Sequence, residues 1–500
     1  MVQRRRIEMA IKPVGAVVNW DLRKLGHTIS FRTVEDCEPQ GCIFNELEGF
    51  FWNKAKAAMS VTLPICLPAG PKGKWGPTLR LIRNPREAME AWVKEFGDPF
   101  LLNALNGPVV VTGREELIRT IYGQSPDAYE PFAVATMAPL MGAGSMFVLD
   151  GEEHRRERRL VMPMFHGDRM KAYGLAMQET AMEQLTKHDL SKPLLTKTLM
   201  TDISLEIIVR TVFGGDDREM AQHMIDASHR TVAAASPLLF FSRKTHVSFL
   251  GLTPWDRWSK AKANLFTLFD KAIEVRKRTV AQREDILSLL CDAKYEDGQS
   301  ISREHIHAEL MTFLFAGHET TALTLTWAIY HLHRCRQHLV RLREELDALP
   351  DLQPSTLAAA PYLKAVVQET LRIHPIVTET LRKLKTPMVL GDYTIPAGMA
   401  VAPATVLAHH NPQTYVDPNV FQPDRFLGRS YSPFEYMPFG GGHRRCIGAA
   451  FAGYEMAIVL GTLLKRYEFE LQESQEVVPK RRSVTMGPSS DIPVVVRTRC

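Results

Sequence analysis

The sequence has no run of the roughly eighteen uncharged apolar residues that a helix needs to cross a bilayer. Its basic start, Met1-Val2-Gln3-Arg4-Arg5-Arg6, leads to Glu8, Lys12 and Pro13 instead of an apolar core, which argues against a signal peptide. A soluble, cytoplasmic protein without a membrane span is expected. A cysteine framework is missing too. Seven cysteines, at positions 37, 42, 66, 291, 335, 446 and 500, are odd in number and scattered, which suits a reducing compartment. Cys37 and Cys42 are the one close pair, and no second pair completes a zinc site. Charge of one sign is scarce: 61 basic residues face 56 acidic ones, and a surplus of +5 gives no basis for nucleic-acid binding. Basic residues gathered on one face would instead suit an acidic protein partner. Repeats and low-complexity tracts are absent.

What remains is 45% hydrophobic and 23% charged, the balance of a globular chain with an ample core. Residues 1–58 mix charges, glycine and cysteine without sustained periodicity, and read as an extension of unknown role. A Pro/Gly-rich lead-in follows at 59–73. From about residue 84 to 450 the helical period dominates. Strand signals are few; one is Met388 to Ile395, where Gly391-Asp392 suits a two-residue hairpin turn with positive φ at its first position. With no linker after residue 73, a mainly α chain with a small β-rich part (α+β) is expected, as one large domain over 59–500.

The most informative stretch is Phe439-Gly440-Gly441-Gly442-His443-Arg444-Arg445-Cys446-Ile447-Gly448. It sets a cysteine behind a glycine-rich cationic loop and ahead of a strong helix start, Ala449-Ala450-Phe451-Ala452. A thiolate there gains from the N–H groups and dipole of the next helix and from Arg444 and Arg445. The glycines let backbone pass close to something flat. Such a cysteine is a good axial ligand for haem iron. A buried small hydrophobe, a phosphate-binding turn or a catalytic nucleophile are the other readings, although no Gly-Lys-Ser/Thr follows the glycines.

Elsewhere, Ser302 can cap a helix running to His333, with Ile306, Leu310, Phe313, Leu314, Leu323, Leu325, Trp327 and Ile329 placing apolar groups nearly all round. Ala316-Gly317-His318-Glu319-Thr320-Thr321 interrupts it with polarity where polarity is expensive. Thr320 and Thr321 could simply bond their i−4 carbonyls. Alternatively, small Ala316 and Gly317 leave room for a cofactor while Glu319 and Thr320 hold water that relays protons. His154 and Arg158 stand at i and i+4, a solvated basic face or a grip on carboxylates.

Together these motifs resemble the cytochrome P-450 family over residues 59–500. Phe439, Gly442, Arg444, Cys446 and Gly448 match its haem-binding signature, and residues 316–321 match its central-helix motif. Glu369-Thr370-Leu371-Arg372 and Pro423-Asp424-Arg425-Phe426 match its paired charge motifs, with Asp424 where Glu is commoner. The resemblance implies a cytochrome P-450 fold and haem b, iron protoporphyrin IX held by the Cys446 thiolate. It implies cofactor contacts from His154, Arg158, Ala316, Arg382, Phe439, Gly442, Arg444 and Gly448. Glu319 and Thr320 would be catalytic, delivering protons, and Glu369, Arg372 and Arg425 would form a buried structural network.

The implied activity is insertion of one oxygen atom from O2 into a lipophilic small molecule such as a fatty acid or terpenoid. Electrons would come from a ferredoxin- or flavodoxin-like donor, with its NAD(P)H reductase, docking near His443, Arg444 and Arg445. A monomer is expected. Phe315, Ala316, Ile376, Val377, Thr378, and Phe132, Met137, Leu140 and Met141 of the 129–147 loop are candidate pocket residues, or simply core. The rival readings are a peroxide-driven peroxygenase or isomerase, a haem sensor or carrier, and a cysteine-dependent hydrolase.

Overall fold

The computed structural model describes residues 65–499 apart from 168, 215–216, 279–284, 473–475 and 483. The expected boundary at residue 58 and the Cys37/Cys42 pair lie outside the described residues. The architecture is built around the helix Arg303–Arg334, 32 residues long. It begins where expected because the Ser302 side chain accepts the His305 N–H at 3.2 Å, meeting one orphan donor of the first turn. Buried side chains occur on all its faces, so it must run through the interior and not over the surface. It packs against the helices Thr196–Phe213, Pro361–Ile373 and Ala449–Arg466, which bury most of their own side chains. Among the described residues no helix is long and apolar enough to cross a membrane.

The β-rich part is larger than the sequence suggests. A five-stranded mixed sheet runs in the order Phe100–Ala104, Gly107–Thr112, Ala400–Pro403, Arg382–Leu384, Tyr129–Glu130. Gly107–Thr112 pairs parallel with Ala400–Pro403; the other pairs are antiparallel. These strands escaped the periodicity reading because they are two to six residues long. The central ones, Val109-Val110-Val111 and Ala400-Val401-Ala402, are apolar on both faces and carry no alternation. The hairpin Met388–Leu390/Tyr393–Ile395 forms with Gly391 at φ 60°. The lead-in joins this region: Cys66 bridges Thr394, and Gly70 lies so close to Leu101 that an added Cβ would sit 1.8 Å from its carbonyl oxygen.

Candidate functional site

Glycines shape the loop before Cys446. Gly440 and Gly442 both take φ 66°, which a side chain disfavours. A single 3-10 turn, Gly442–Arg444, folds the chain back so that the Cys446 N–H donates to the Phe439 carbonyl at 2.9 Å. The helix Ala449–Arg466 starts immediately afterwards. Loss of water around the sulfur pushes the Cys446 thiol up from its ordinary value, while the Gly448 N–H, Arg158 and Arg445 pull it down. The residue is still exposed, because it opens on a hollow of about 250 Å³ lined by Arg158, Met162, His166, Phe439, Arg445 and Ala450. Gly441 has a reason the sequence did not disclose: a Cβ there would meet the Tyr122 ring at 2.4 Å. The flat group against this glycine is a tyrosine of the helix Glu115–Tyr122.

Five basic side chains converge beside the loop. His154 and Arg158 come from the helix Gly151–Val161, started by Asp150, whose side chain accepts the Gly151 N–H at 2.8 Å. The His154 ring meets His443 edge-on at 6.0 Å between centroids, and His443 stacks on Tyr129. Arg444 donates to the carbonyls of Met146 (3.1 Å) and Leu149 (2.5 Å). Arg382, buried on the edge of its strand pairing, donates to the Gly441 carbonyl at 3.4 Å. These groups oppose one another. Burial first, then Arg444, His443 and Arg158, hold His154 down at about 3. Burial, Arg382, Arg444 and Arg158 hold His443 at about 4. Burial and Arg382 bring Arg444 to about 10. Asp150 is the carboxylate that pulls the other way.

A buried excess of positive charge next to a thiol suits a ligand that brings two carboxylates and a metal for sulfur, as a haem does. The haem-free protein carries a consequence. His154 and His443 are held neutral in the fold, so the unfolded chain binds more protons between their depressed values and about 6.5. Its thermal stability is expected to fall as pH drops from about 6.5 towards 4, and bound haem should flatten that slope. Equal slopes with and without haem would remove these histidines from the cofactor site.

On the central helix, Ala316 is exposed between buried Leu314 and buried His318, which marks an opening beside an otherwise enclosed helix. Gly317 does not share that opening. A Cβ there would lie 3.2 Å from Ile208 Cδ1, so its smallness serves packing against Thr196–Phe213, correcting the expectation that both small residues make room for a cofactor. Thr320 donates to the Ala316 carbonyl at 2.9 Å and Thr321 to the Gly317 carbonyl at 3.2 Å, the i−4 pattern. The Glu319 carboxylate takes its hydrogen bond from Thr485 at 3.3 Å. Burial raises its carboxyl above the usual range, opposed by Thr485, Arg482 and Lys197. Thr485 lies 166 residues away, and no spacing in the sequence pointed to it.

Glu369 and Arg372, both fully buried, form a two-armed pair at 2.6 and 2.8 Å on the helix Pro361–Ile373. Arg425 adds a bond to Glu369 at 3.1 Å. Arg372 also reaches the carbonyls of His409 and Pro418, both at 2.8 Å. Asp424 turns away from this network to pair with Arg341. Among the apolar candidates, Leu140 and Met141 are closed off in the core, and Ile376 is buried. Phe315 is half-buried against Trp258, with ring centroids at 5.2 Å.

A helical body around one long internal helix, with a lone cysteine on a glycine loop facing clustered cations, defines a haem-thiolate protein. The chain matches the description Cytochrome P450 over residues 68–493. It is 32% identical over 455 residues to cytochrome P450 138 of Mycobacterium tuberculosis, covering 89% of this chain and 98% of that one. It is 32% identical over 452 residues to cytochrome P450 135B1 of Mycobacterium bovis, covering 88% and 93%. The retinoic acid-bound cyanobacterial CYP120A1 superposes with a TM-score of 0.78 at 22% identity, over 87% of this chain and 100% of that chain. The heme domain of cytochrome P450DA gives 0.77 at 22% identity, over 87% and 98%.

This chain belongs to the cytochrome P450 family. It is accordingly an oxidoreductase of the haem-thiolate monooxygenase class, with haem iron bound by a cysteine, and it uses O2, a substrate and an electron-transfer partner.

Proposed function

We propose that the chain inserts one oxygen atom into a lipophilic small molecule, a fatty acid or terpenoid, with Cys446 as the iron's axial ligand and residues 59–500 as the catalytic domain. One observation carries the reading: Cys446 ends a glycine loop, closed by its own N–H on the Phe439 carbonyl at 2.9 Å, and faces a hollow bordered by Arg158 and Arg445. Arg382 is bonded to the Gly441 carbonyl of that loop, and Arg444 lies within it. When bound, haem supplies reductive activation of O2. The protein's share is positioning and proton handling. His154, Arg158, Arg382 and Arg444 would hold the porphyrin carboxylates by charge-assisted hydrogen bonds. Phe439, Gly442 and Gly448 shape the sulfur's loop, and Ala316 keeps its face of the central helix open.

Glu319 retains a proton to higher pH than an exposed glutamate does, because burial raises it. With haem bound, Glu319 would give that proton to water on the Thr320 side, its carboxylate keeping the bond from Thr485. Thr320 Oγ1, turned to the Ala316 carbonyl, is the nearby hydroxyl that orders the receiving water. A ferredoxin- or flavodoxin-like donor, served by an NAD(P)H reductase, docks by opposite charge near His443, Arg444 and exposed Arg445. The enzyme works as a monomer. The apolar guest is supported by half-buried Phe315, Phe132 and Met137, and one structural relative is bound to retinoic acid.

Two measurements test this. Titrating the ferric protein with fatty acids and terpenoids should shift its spectrum as iron-bound water is displaced, and the binders should be oxidised when donor and reductase are supplied. A library without one such guest contradicts the substrate class. Thr320→Ala is expected to lower the ratio of product to electrons about tenfold and to release peroxide, in line with the loss of one positioned proton donor. Unchanged coupling removes Thr320 from the relay. Product formed with peroxide but never with a donor protein would favour a peroxygenase.

A further inference from the structure

Two glutamates that the proton relay leaves unused are buried beside the first turns of the central helix. Glu157 of the helix Gly151–Val161 keeps 2% of its surface open, and Glu309 of the central helix keeps none. Glu157 Oε2 accepts the Tyr295 hydroxyl at 2.7 Å and lies 3.3 Å from His305 Nδ1. Glu309 Oε1 accepts the Met146 N–H at 3.2 Å. The other oxygen of each, Glu157 Oε1 and Glu309 Oε2, is buried without a partner. Arg156, the cation next to Glu157 in sequence, is engaged elsewhere. It lies over the Tyr295 ring at 3.8 Å and bonds Asp297 at 2.7 Å.

Two ionised carboxyls in that setting repel, and neither spare oxygen could satisfy the other. One proton changes this, because it makes a donor of one spare oxygen and gives the other something to accept. The surroundings say which carboxyl carries it. Glu157, bonded to His305, draws that imidazole up from its ordinary value, as a carboxylate does. Burial first and Glu157 second push the Glu309 carboxyl well above its usual range. Glu309 is the neutral member.

The bond from Met146 connects these carboxyls to the cofactor site. Residues 142–149 lie so close along the central helix that a Cβ on Gly144 would sit 2.7 Å from the His305 ring, and one on Gly142 2.9 Å from the Ala308 methyl. The Ser145 and Thr312 hydroxyls meet at 2.8 Å. The same segment turns its Met146 and Leu149 carbonyls to Arg444. Met146 is thus held between Glu309, through its N–H, and Arg444, through its carbonyl.

We propose that Glu157 and Glu309 form a proton-sharing pair, and that Glu309 is a positioning residue that keeps residues 142–149, and through them Arg444, in place for the cofactor's carboxylates. The pair itself stands on the buried geometry; only its effect through Arg444 rests on the haem-site reading above. Around the pair stand Tyr295, His305, Glu153, Glu304 and Arg156. They contribute to any pH dependence in common, so the comparison that isolates Glu309 is with its own amide.

Folded Glu309 keeps a proton that the unfolded chain gives up above the ordinary carboxylate range, so its contribution to stability falls as pH rises from that range. In the haem-free full-length chain, the melting temperature of Glu309→Gln should therefore rise relative to that of the unaltered protein as pH goes from acid to neutral. In the holoprotein, Glu309→Gln should release haem to apomyoglobin at the unaltered rate, because an amide can accept from Met146 and donate to Glu157. Glu309→Ala should release it about tenfold faster, since both bonds are lost. Parallel pH dependences of melting overturn the shared proton. Unchanged release from Glu309→Ala, or release from Glu309→Gln as fast as from Glu309→Ala, overturns the positioning role. Should Glu309→Ala fail to fold, the Gln variant decides both points, by its melting slope and its haem release. A chain that takes up no haem ends the haem-site reading and this role with it, while the melting comparison still decides the pair.

Discussion

Cys446→Ser is expected to abolish the red-shifted Soret band of the reduced, CO-bound protein, and with it donor-supported monooxygenation. The expectation rests on what surrounds the sulfur. The Gly448 N–H, Arg158 and Arg445 each favour the thiolate against a desolvation that disfavours it. A serine hydroxyl in the same loop has a far higher pKa, and those three groups do not suffice to ionise it at neutral pH. The loop should survive the exchange, because the bond that closes it runs from the residue 446 N–H to the Phe439 carbonyl and involves no side chain. The variant is therefore expected to fold and to take up haem weakly, with the spectrum of an oxygen- or histidine-ligated pigment. A persisting thiolate band would clear Cys446 of ligation.

Arg372→Ala should be the more destructive change, although Arg372 contacts no reacting group. Its guanidinium is fully buried, takes both oxygens of Glu369, and supports the carbonyls of His409 and Pro418. Removing it leaves Glu369 with Arg425 as its remaining cation. Stranding one partner of a buried pair costs about 3–5 kcal/mol, which is a large share of the roughly 5–15 kcal/mol that separates folded from unfolded proteins. Haem-free, aggregated or absent protein is the expected outcome. The double change Glu369→Gln with Arg372→Met should be milder than Arg372→Ala, since the fully buried carboxylate is gone and Arg425, which loses its acid partner, keeps the carbonyls of Val416, Asp417 and Val420. Normal holoprotein yield from Arg372→Ala, or a double variant worse than the single one, would contradict this account of the network.

The contrast between these residues explains what the sequence made legible. The cysteine loop could be read because its chemistry is contiguous: glycines, cations, thiol and helix start lie within a dozen residues. His154 and Arg158 could be paired because a helix puts i and i+4 on one face. Glu369 and Arg372 share a helix for the same reason, whereas Arg425 reaches them only through the chain's return from Pro418 to Phe426. Contacts made by distant chain segments left no trace in spacing. Nothing near Glu319 announces Thr485, nothing near Gly441 announces Tyr122, and nothing near Gly317 announces Ile208. The five-stranded sheet stayed hidden because two of its three inner strands, Gly107–Thr112 and Ala400–Pro403, are short and largely apolar on both sides, a pattern shared with buried helix, and the third is only three residues long.

The most direct measurement is iron-edge X-ray absorption on a holoprotein in which the other six cysteines, at 37, 42, 66, 291, 335 and 500, are replaced by serine. One sulfur in the first coordination sphere, together with an intact red-shifted CO band, is the predicted result. A spectrum without sulfur would contradict the assignment of the iron to Cys446.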